Sequence, residues 1–243
     1  MAFVIYRKAE RIAVITFNRR EVLNAANTQM TREFLHALRE AEADSDVRVV
    51  VLRGEGRAFC AGHDLKEDTT GETLEQSVAL IEELQETTRV MLRMGKPVIA
   101  AVQGYAVGAG CEWTMNCDLR IAADGAKFGF PEASIGTTVT NAGTKLLTLL
   151  VGLGRAKELV LTSRMIEAKE AKEWGLVNEV VPLEALEKTT MDLARKIAKN
   201  PVMSTRLAKA ALNQAVHESF EQTLGREAKD AILMPIKEKD PAR

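Results

Sequence analysis

The sequence predicts an α/β protein in which parallel strands are joined by helical crossovers. Three observations carry this. Apolar runs rich in β-branched residues recur at 11–17, 47–54, 97–104 and 118–124. Segments with helical apolar spacing lie between them. Two of the runs end in glycine-containing turns, where a buried strand must reverse.

Taken in order, RIAVITF (11–17) alternates weakly and reads as a strand, and NRREVLNAAN (18–27) reads as a loop. Over 28–44, Met30, Phe34, Leu35, Leu38 and Ala41 fall on one helical face. VRVVVLRG (47–54) is a buried-strand run ending at Gly54. A polar loop, DTTGE (68–72), precedes a long helix over 72–94 with Leu74, Val78, Ile81 and Leu84 on one side, ending near Gly95-Lys96-Pro97. PVIAAVQG (97–104) is a second buried strand, AVGAGCEWTMNC (106–117) a glycine turn that becomes a helix, and DLRIAAD (118–124) a further strand. Helices are expected in GTKLLTLLVG, GRAKELVLTS, EAKEAKEWG and from Pro182 to the end, with a short strand in GLVNEVV. The helical content gathers toward the C-terminus, which divides the chain into a body of 1–190 and a helical region of 191–243.

Composition bounds the function. The 243 residues are 46% hydrophobic and 28% charged, enough for a sizeable core. A net charge of −1 supplies no global basic field for nucleic acid or an anionic membrane. Cys60, Cys111 and Cys117 are odd in number and lack C-x-x-C spacing, which fits a reducing compartment. No apolar run approaches the ~20 residues of a membrane span. The first residues, MAFVIYRKAERIAV, carry charges where a signal peptide is apolar. The expected compartment is the cytoplasm, or an organelle matrix if a leader has been removed.

Two strand ends share one design. One runs into GEGRAFCAGHD and the other into GYAVGAGCE. The free N–H groups at a helix start attract negative charge, and two such groups converging on a point form an oxyanion hole. Within RAFCAGHDLKE, Cys60, His63 and Asp64 are also the residue types of nucleophilic triads and metal sites. Glu112 sits in the first turn of an otherwise apolar helix, and Glu132 follows Pro131 in FGFPEASIG. Each has an ordinary reading as an acid complementing a helix start. Converging on one apolar site, the two would have raised, separated pKa values and divide the work of acid and base.

The motifs RAFCAGHDLKE, KPVIAAVQGYAVGAGCEWTMNCDLRIA, AKFGFPEASIG and GRAKELVLTSRMIEAKEAKEWGLVNEVV occur in this order, and the chain resembles the crotonase, or enoyl-CoA hydratase/isomerase, superfamily. The resemblance implies a spiral of repeated ββα units with a C-terminal helical region. It also implies acyl-CoA thioester substrates, with coenzyme A as part of the substrate and neither metal nor prosthetic group required. The oxyanion donors would be the backbone N–H groups of His63 and Ala109. The CoA path would run along His63, Asp64, Leu65 and Lys66, with Gly108 and Pro131 nearby and Leu23, Ala25 and Ala61 toward the adenine end. Glu112 and Glu132 match the two glutamates of the hydratases, which hold the water that adds to Cβ. Glu132 would also exchange the Cα proton. On this reading Cys60 is a small buried residue and Asp64 fixes the loop.

The sequence departs from the common hydratase pattern in Gly108-Ala109-Gly110, where three glycines are usual, and in His63, where alanine or glycine is usual. IGTTVTNAGTKLL replaces a glycine-rich stretch, so Thr137, Thr138, Thr140 and Asn141 are candidates for a polar acyl pocket or for helix caps. In relatives the tail helps cover the CoA site, and Lys237, Lys239 and Arg243 are candidates for its phosphates. The resemblance further implies a homotrimer or dimer of trimers. The leading activity is 2-enoyl-CoA hydration. Movement of a 3-enoyl double bond to the 2-position is the alternative, and a non-catalytic CoA-thioester- or RNA-binding scaffold is the alternative of another class.

Overall fold

A computed structural model describes residues 2–67 and 73–233, so the expected 68–72 loop and the tail residues Lys237, Lys239 and Arg243 lie outside the described residues. The chain opens with a hairpin of β1 (Val4–Ala9) and β2 (Ile12–Phe17), then α1 (Thr28–Ala43), β3 (Val49–Gly54) and α2 (Leu74–Arg93). Next come β4 (Val98–Val102), β5 (Tyr105–Val107), α3 (Ala109–Asn116), β6 (Leu119–Ala123), β7 (Lys127–Gly129) and the one-turn α4 (Glu132–Ile135). After α5 (Gly143–Val151) and α6 (Leu153–Thr162), β8 (Met165–Glu167) leads into α7 (Ala168–Glu173) and β9 (Glu179–Val181). The described chain closes with α8 (Leu183–Ala198), α9 (Val202–Ala215) and α10 (Phe220–Leu233).

The main sheet has the order β1-β2-β3-β4-β6-β9, parallel throughout except for the antiparallel β1–β2 pair. A smaller sheet, β5-β7-β8, runs beside it and is extended by a bridge from Cys60 to Ala106. Two turns of the chain repeat the expected unit: β4, β5, α3 and then β6, β7, α4. The three-residue strands β5, β7 and β8 carry too little periodicity to be read from sequence. β1 escapes for a different reason: its turn is made by Glu10 and Arg11, both left-handed, with no Gly or Asn to mark a hairpin.

Both faces of the central strands β2, β3, β4 and β6 are buried, which explains their continuous apolar runs. In β3, Val50 and Leu52 face the principal core, whereas Val49 and Val51 pack with Ile12, Ile99, Ala194 and Ala198 under α8. Residue 190, where the sequence places the division between body and helical region, lies inside α8. The principal core centres on an aromatic cluster: Phe17 lies 5.0 Å from Phe34, 5.4 Å from Phe59 and 5.2 Å from Trp113 between ring centroids. The Trp113 indole N–H donates to Thr87 Oγ1 at 3.0 Å, and Asn116 Nδ2 donates to Thr88 Oγ1 at 2.7 Å, so α2 and α3 are locked together.

The apolar face expected along α2 is only half realised. Thr87, Thr88 and Met91 are buried, but Leu74, Val78 and Ile81 are 82%, 47% and 46% exposed. The C-terminal half of the helix reaches α3 and the core, and the N-terminal half stands at a groove rim. Among the described residues, no helix is long and apolar enough to cross a membrane.

Because Phe34 is fully buried and edge-on to both Phe17 and Trp113, Phe34→Ala should cost about 3–5 kcal/mol. Denaturant unfolding of the folded variant would measure it.

Candidate active site

Two strand-end segments are laced together by backbone. Cys60 N–H donates to Tyr105 O at 2.9 Å, and Val107 N–H donates to Cys60 O at 3.0 Å. On its other side the first segment pairs with Ala26, whose N–H donates to Gly62 O at 2.7 Å and whose O accepts from Asp64 N–H at 2.9 Å. In such a parallel bridge the bonds are made by the flanking residues, so the His63 N–H points away from Ala26. Among the described residues it donates to no backbone or side-chain acceptor. Ala109 opens α3, and its N–H likewise lacks an acceptor there.

The residues before these two amides touch. Gly108 has φ +51°, and a Cβ on it would lie 2.9 Å from Glu132 Oε1 and 3.7 Å from Gly62 Cα. A Cβ on Gly62 would come within 2.9 Å of Val107 O. Both positions have positive φ, and a side chain is opposed at Gly62 by the Val107 carbonyl and at Gly108 by the Glu132 carboxyl. The alanine of Gly108-Ala109-Gly110 is accommodated: Ala109 is the first residue of α3, and its side chain is buried.

Glu112 lies in the first turn of α3, every residue of which is buried. Its Oε1 accepts from Thr140 N–H at 2.8 Å and from Asn141 N–H at 2.9 Å, and its Oε2 accepts from Asn141 Nδ2 at 3.0 Å. Burial raises its pKa above the ordinary carboxylate value, opposed by the donors from Asn141 and Thr140. Glu132 begins α4 after Pro131 and is 7% exposed. Its Oε2 is buried with no hydrogen-bond partner among the described residues. Burial raises its pKa as well, and the negative charge of Glu112 pushes the same way against the carboxylate's bond to its own backbone. The fold thus brings the two carboxyls into electrostatic contact, with Glu132 against the Gly108 turn.

The remaining expected residues divide by role. Asp64 pairs with Arg19 Nη2 at 2.9 Å and accepts from Lys66 N–H at 3.1 Å. Burial would raise its carboxyl, but the Lys66 amide and Arg19 outweigh it and hold the pKa below the ordinary value. Arg19 also donates to Ala25 O and lies over the Phe3 ring. Leu23 and Asn24 are left-handed, Leu23 O accepts from Ala61 N–H at 3.0 Å, and Asn24 Nδ2 donates to Ala58 O at 2.8 Å. Leu23, Ala25 and Ala61 therefore form one pinned corner beside the His63 loop. Leu65 and Lys66 are exposed along that loop. Cys60 is no partner for the exposed His63: it is fully buried, and burial pushes its thiol up to about 12.

Neither Thr140 nor Asn141 caps a helix. The residue before α5 is Ala142, in a left-handed conformation and without a side-chain cap. Thr140 and Asn141 instead hold Glu112, a role the sequence reading did not assign. Thr137 is exposed, and its N–H closes α4 on Glu132 O at 2.9 Å. Arg19 was also missed, because its partners are assembled by the left-handed loop at Leu23-Asn24. A groove of about 230 Å³ opens at His63 between α1 and α2, walled by Thr28, Thr31, Leu80, Ile81 and Leu84.

The family model for enoyl-CoA hydratase/isomerase matches residues 7–239. The chain belongs to the enoyl-CoA hydratase/isomerase family. It is 40% identical over 226 residues to a short-chain-enoyl-CoA hydratase of Clostridium acetobutylicum, covering 93% of this chain and 86% of the relative. A crotonyl-CoA hydratase of Syntrophomonas wolfei is 37% identical over 232 residues, with the same coverage of 93% and 86%. The crystal structure of an enoyl-CoA hydratase from Bacillus anthracis superposes with a TM-score of 0.90 at 36% identity, covering 95% of this chain and 90% of that one. The fold of this family member is thus the crotonase fold that the motifs imply.

A raised folded-state pKa at Glu132 means that ionisation opposes folding. Its favourable contribution is fully present below the ordinary value of 4.5 and is lost as pH rises through the raised value. Glu132→Gln should therefore gain stability relative to the parent on going from pH 4 to pH 8, measured as the difference in Tm across the series. A constant difference would contradict the assignment.

Proposed function

We propose that this family member adds water reversibly across the 2,3 double bond of a 2-enoyl-CoA thioester. The observation that carries the reading is the pairing of two buried carboxyls, Glu112 and Glu132, with two backbone N–H groups that follow touching glycines. The named hydratase relatives support it.

The thioester oxygen would accept from the N–H groups of His63 and Ala109. A conjugated thioester takes water at Cβ only as negative charge builds on that oxygen, and one such donor is worth about 2.7–4 kcal/mol. The water oxygen bonds to Cβ while its proton passes to the Glu112 carboxylate, and the Glu132 carboxyl gives a proton to Cα. Proton exchange between the two carboxyls resets the pair. The environments suit these roles, since Glu112 is surrounded by donors that favour its charge and Glu132 is not. No prosthetic group enters the reaction.

CoA would follow Lys66, Leu65 and Asp64 past His63, with Pro131 and Gly108 flanking the thioester and Leu23, Ala25 and Ala61 at the adenine end. Leu80, Ile81 and Leu84 give the adjoining groove an apolar wall suited to a methylene chain. Exposed Val202, Met203, Leu212, Phe220 and Leu224 on α9 and α10 support a subunit contact through these helices, which we read as that of a homotrimer or dimer of trimers. The buried free thiols support a reducing setting such as the cytoplasm.

The chain should bleach the conjugated-thioester absorbance of crotonyl-CoA or a longer 2-enoyl-CoA. Glu112→Gln and Glu132→Gln should each lower kcat by about 10²-fold or more. Solvent ¹⁸O should appear in the product. Bond migration from a 3-enoyl-CoA without ¹⁸O uptake would instead establish an isomerase.

A further inference from the structure

We propose that the Asn141 side-chain amide is a positioning residue that fixes Glu112 so that the open acceptor position of Oε2 faces the reacting water. The inference rests on the hydratase reading above. A carboxylate offers about four acceptor sites. At Glu112, the two backbone N–H groups of Thr140 and Asn141 both go to Oε1. Oε2 is different: among the described residues its one hydrogen-bond donor is Asn141 Nδ2, at 3.0 Å. Rotation of the carboxyl about its last bond is therefore resisted from both oxygens, and the site left open is on Oε2.

Asn141 is fully buried, so this side chain is not a surface residue that happens to reach Glu112. It does not cap α5, and its Oδ1 has no partner among the described residues. Its only side-chain hydrogen bond there is the one to Glu112. Leaving Oδ1 buried without a partner costs stability, so packing alone does not account for an asparagine here. Gly143 keeps the arrangement tight, since a Cβ there would lie 2.7 Å from Glu112 Oε1.

A donor to the charged form also favours the ionised state that accepts the water proton. The groups around Glu112 leave that role to Asn141 and Thr140. Glu132 of α4 and the Cys111 thiol of α3 are the titratable neighbours. α2 meets α3 through Thr87 and Thr88, β5 brings only the exposed Tyr105, and Lys145 of α5 lies at the surface beside His217. No cation faces the carboxylate among the described residues.

The test uses Asn141→Ala and the similarly sized Asn141→Leu, with the Glu112 carboxyl followed by infrared difference spectroscopy and its band assigned by loss in Glu112→Gln. Both variants should move the Glu112 titration to higher pH. They should lower kcat on a 2-enoyl-CoA roughly 10- to 100-fold with KM within about twofold, and the acid limb of the kcat profile should move upward with the band. In the unmodified chain, the Asn141 Nδ2 protons in ¹⁵N–¹H spectra should shift with the same titration, which needs no variant to fold. Side-chain amide protons that ignore the Glu112 titration, or an unmoved Glu112 band in a folded variant, would overturn the inference whatever the activity. Failure of the unmodified chain to hydrate any enoyl-CoA would instead overturn the hydratase reading and leave the spectroscopic result to stand by itself.

Discussion

The site depends on main chain meeting main chain at Gly62 and Gly108. A methyl group on Gly62 would strike the Val107 carbonyl and one on Gly108 the Glu132 carboxyl, and each glycine is followed at once by an amide with no acceptor among the described residues. That contact is stable only because both segments are fixed from behind. One is held by its backbone bonds to Ala26 and β5, and the other by α3. The helix is in turn anchored by Trp113, which is buried against Phe17 and Phe34 and bonded to Thr87 of α2. The aromatic cluster thus supports the pair of backbone amides that we propose as the oxyanion hole.

The same helix that offers the Ala109 amide carries Glu112 three positions later, so the proposed polarising donor and one of the two proposed acids share one rigid body. Glu132 comes from a separate one-turn helix, and its carboxyl fits against Gly108, where a larger residue would displace it. Both acids are buried, which raises both pKa values. They differ in what compensates the burial. Glu112 receives three hydrogen bonds, and Glu132 Oε2 receives none among the described residues. Two chemically identical side chains are thereby made unequal by their surroundings, as division of labour between acid and base requires.

Much of this was legible in the chain. Four of the five longer strands, β2, β3, β4 and β6, follow from β-branched runs, and α1 follows from Met30, Phe34, Leu35, Leu38 and Ala41, which are all buried. Strand ends carrying glycine marked the two backbone segments that the fold brings together in the candidate site. What escaped had no local signature. The β1–β2 turn uses Glu10 and Arg11 in place of glycine. The exposure of Leu74, Val78 and Ile81 depends on where α2 stops meeting the core, and periodicity reports a face without saying what covers it. Asn141 looked like a cap or a pocket residue because Asn is common in both. Its actual partner is 29 positions away in sequence.

The departures from the glycine-rich pattern at 137–143 form one coherent change. A stretch of small residues would supply Glu112 with backbone donors alone. Here Thr140 and Asn141 keep those backbone donors, and Asn141 adds a side-chain donor from the same position, at the cost of burying an unpaired Oδ1. Adding the side chain requires its backbone to stay in place, and that falls to Ala142 in a left-handed conformation and to Gly143, which leaves room for the carboxylate. An alanine at a left-handed position is unfavourable by itself. Its position between Asn141 and the start of α5 places that local cost in the loop that delivers the side-chain donor to Glu112.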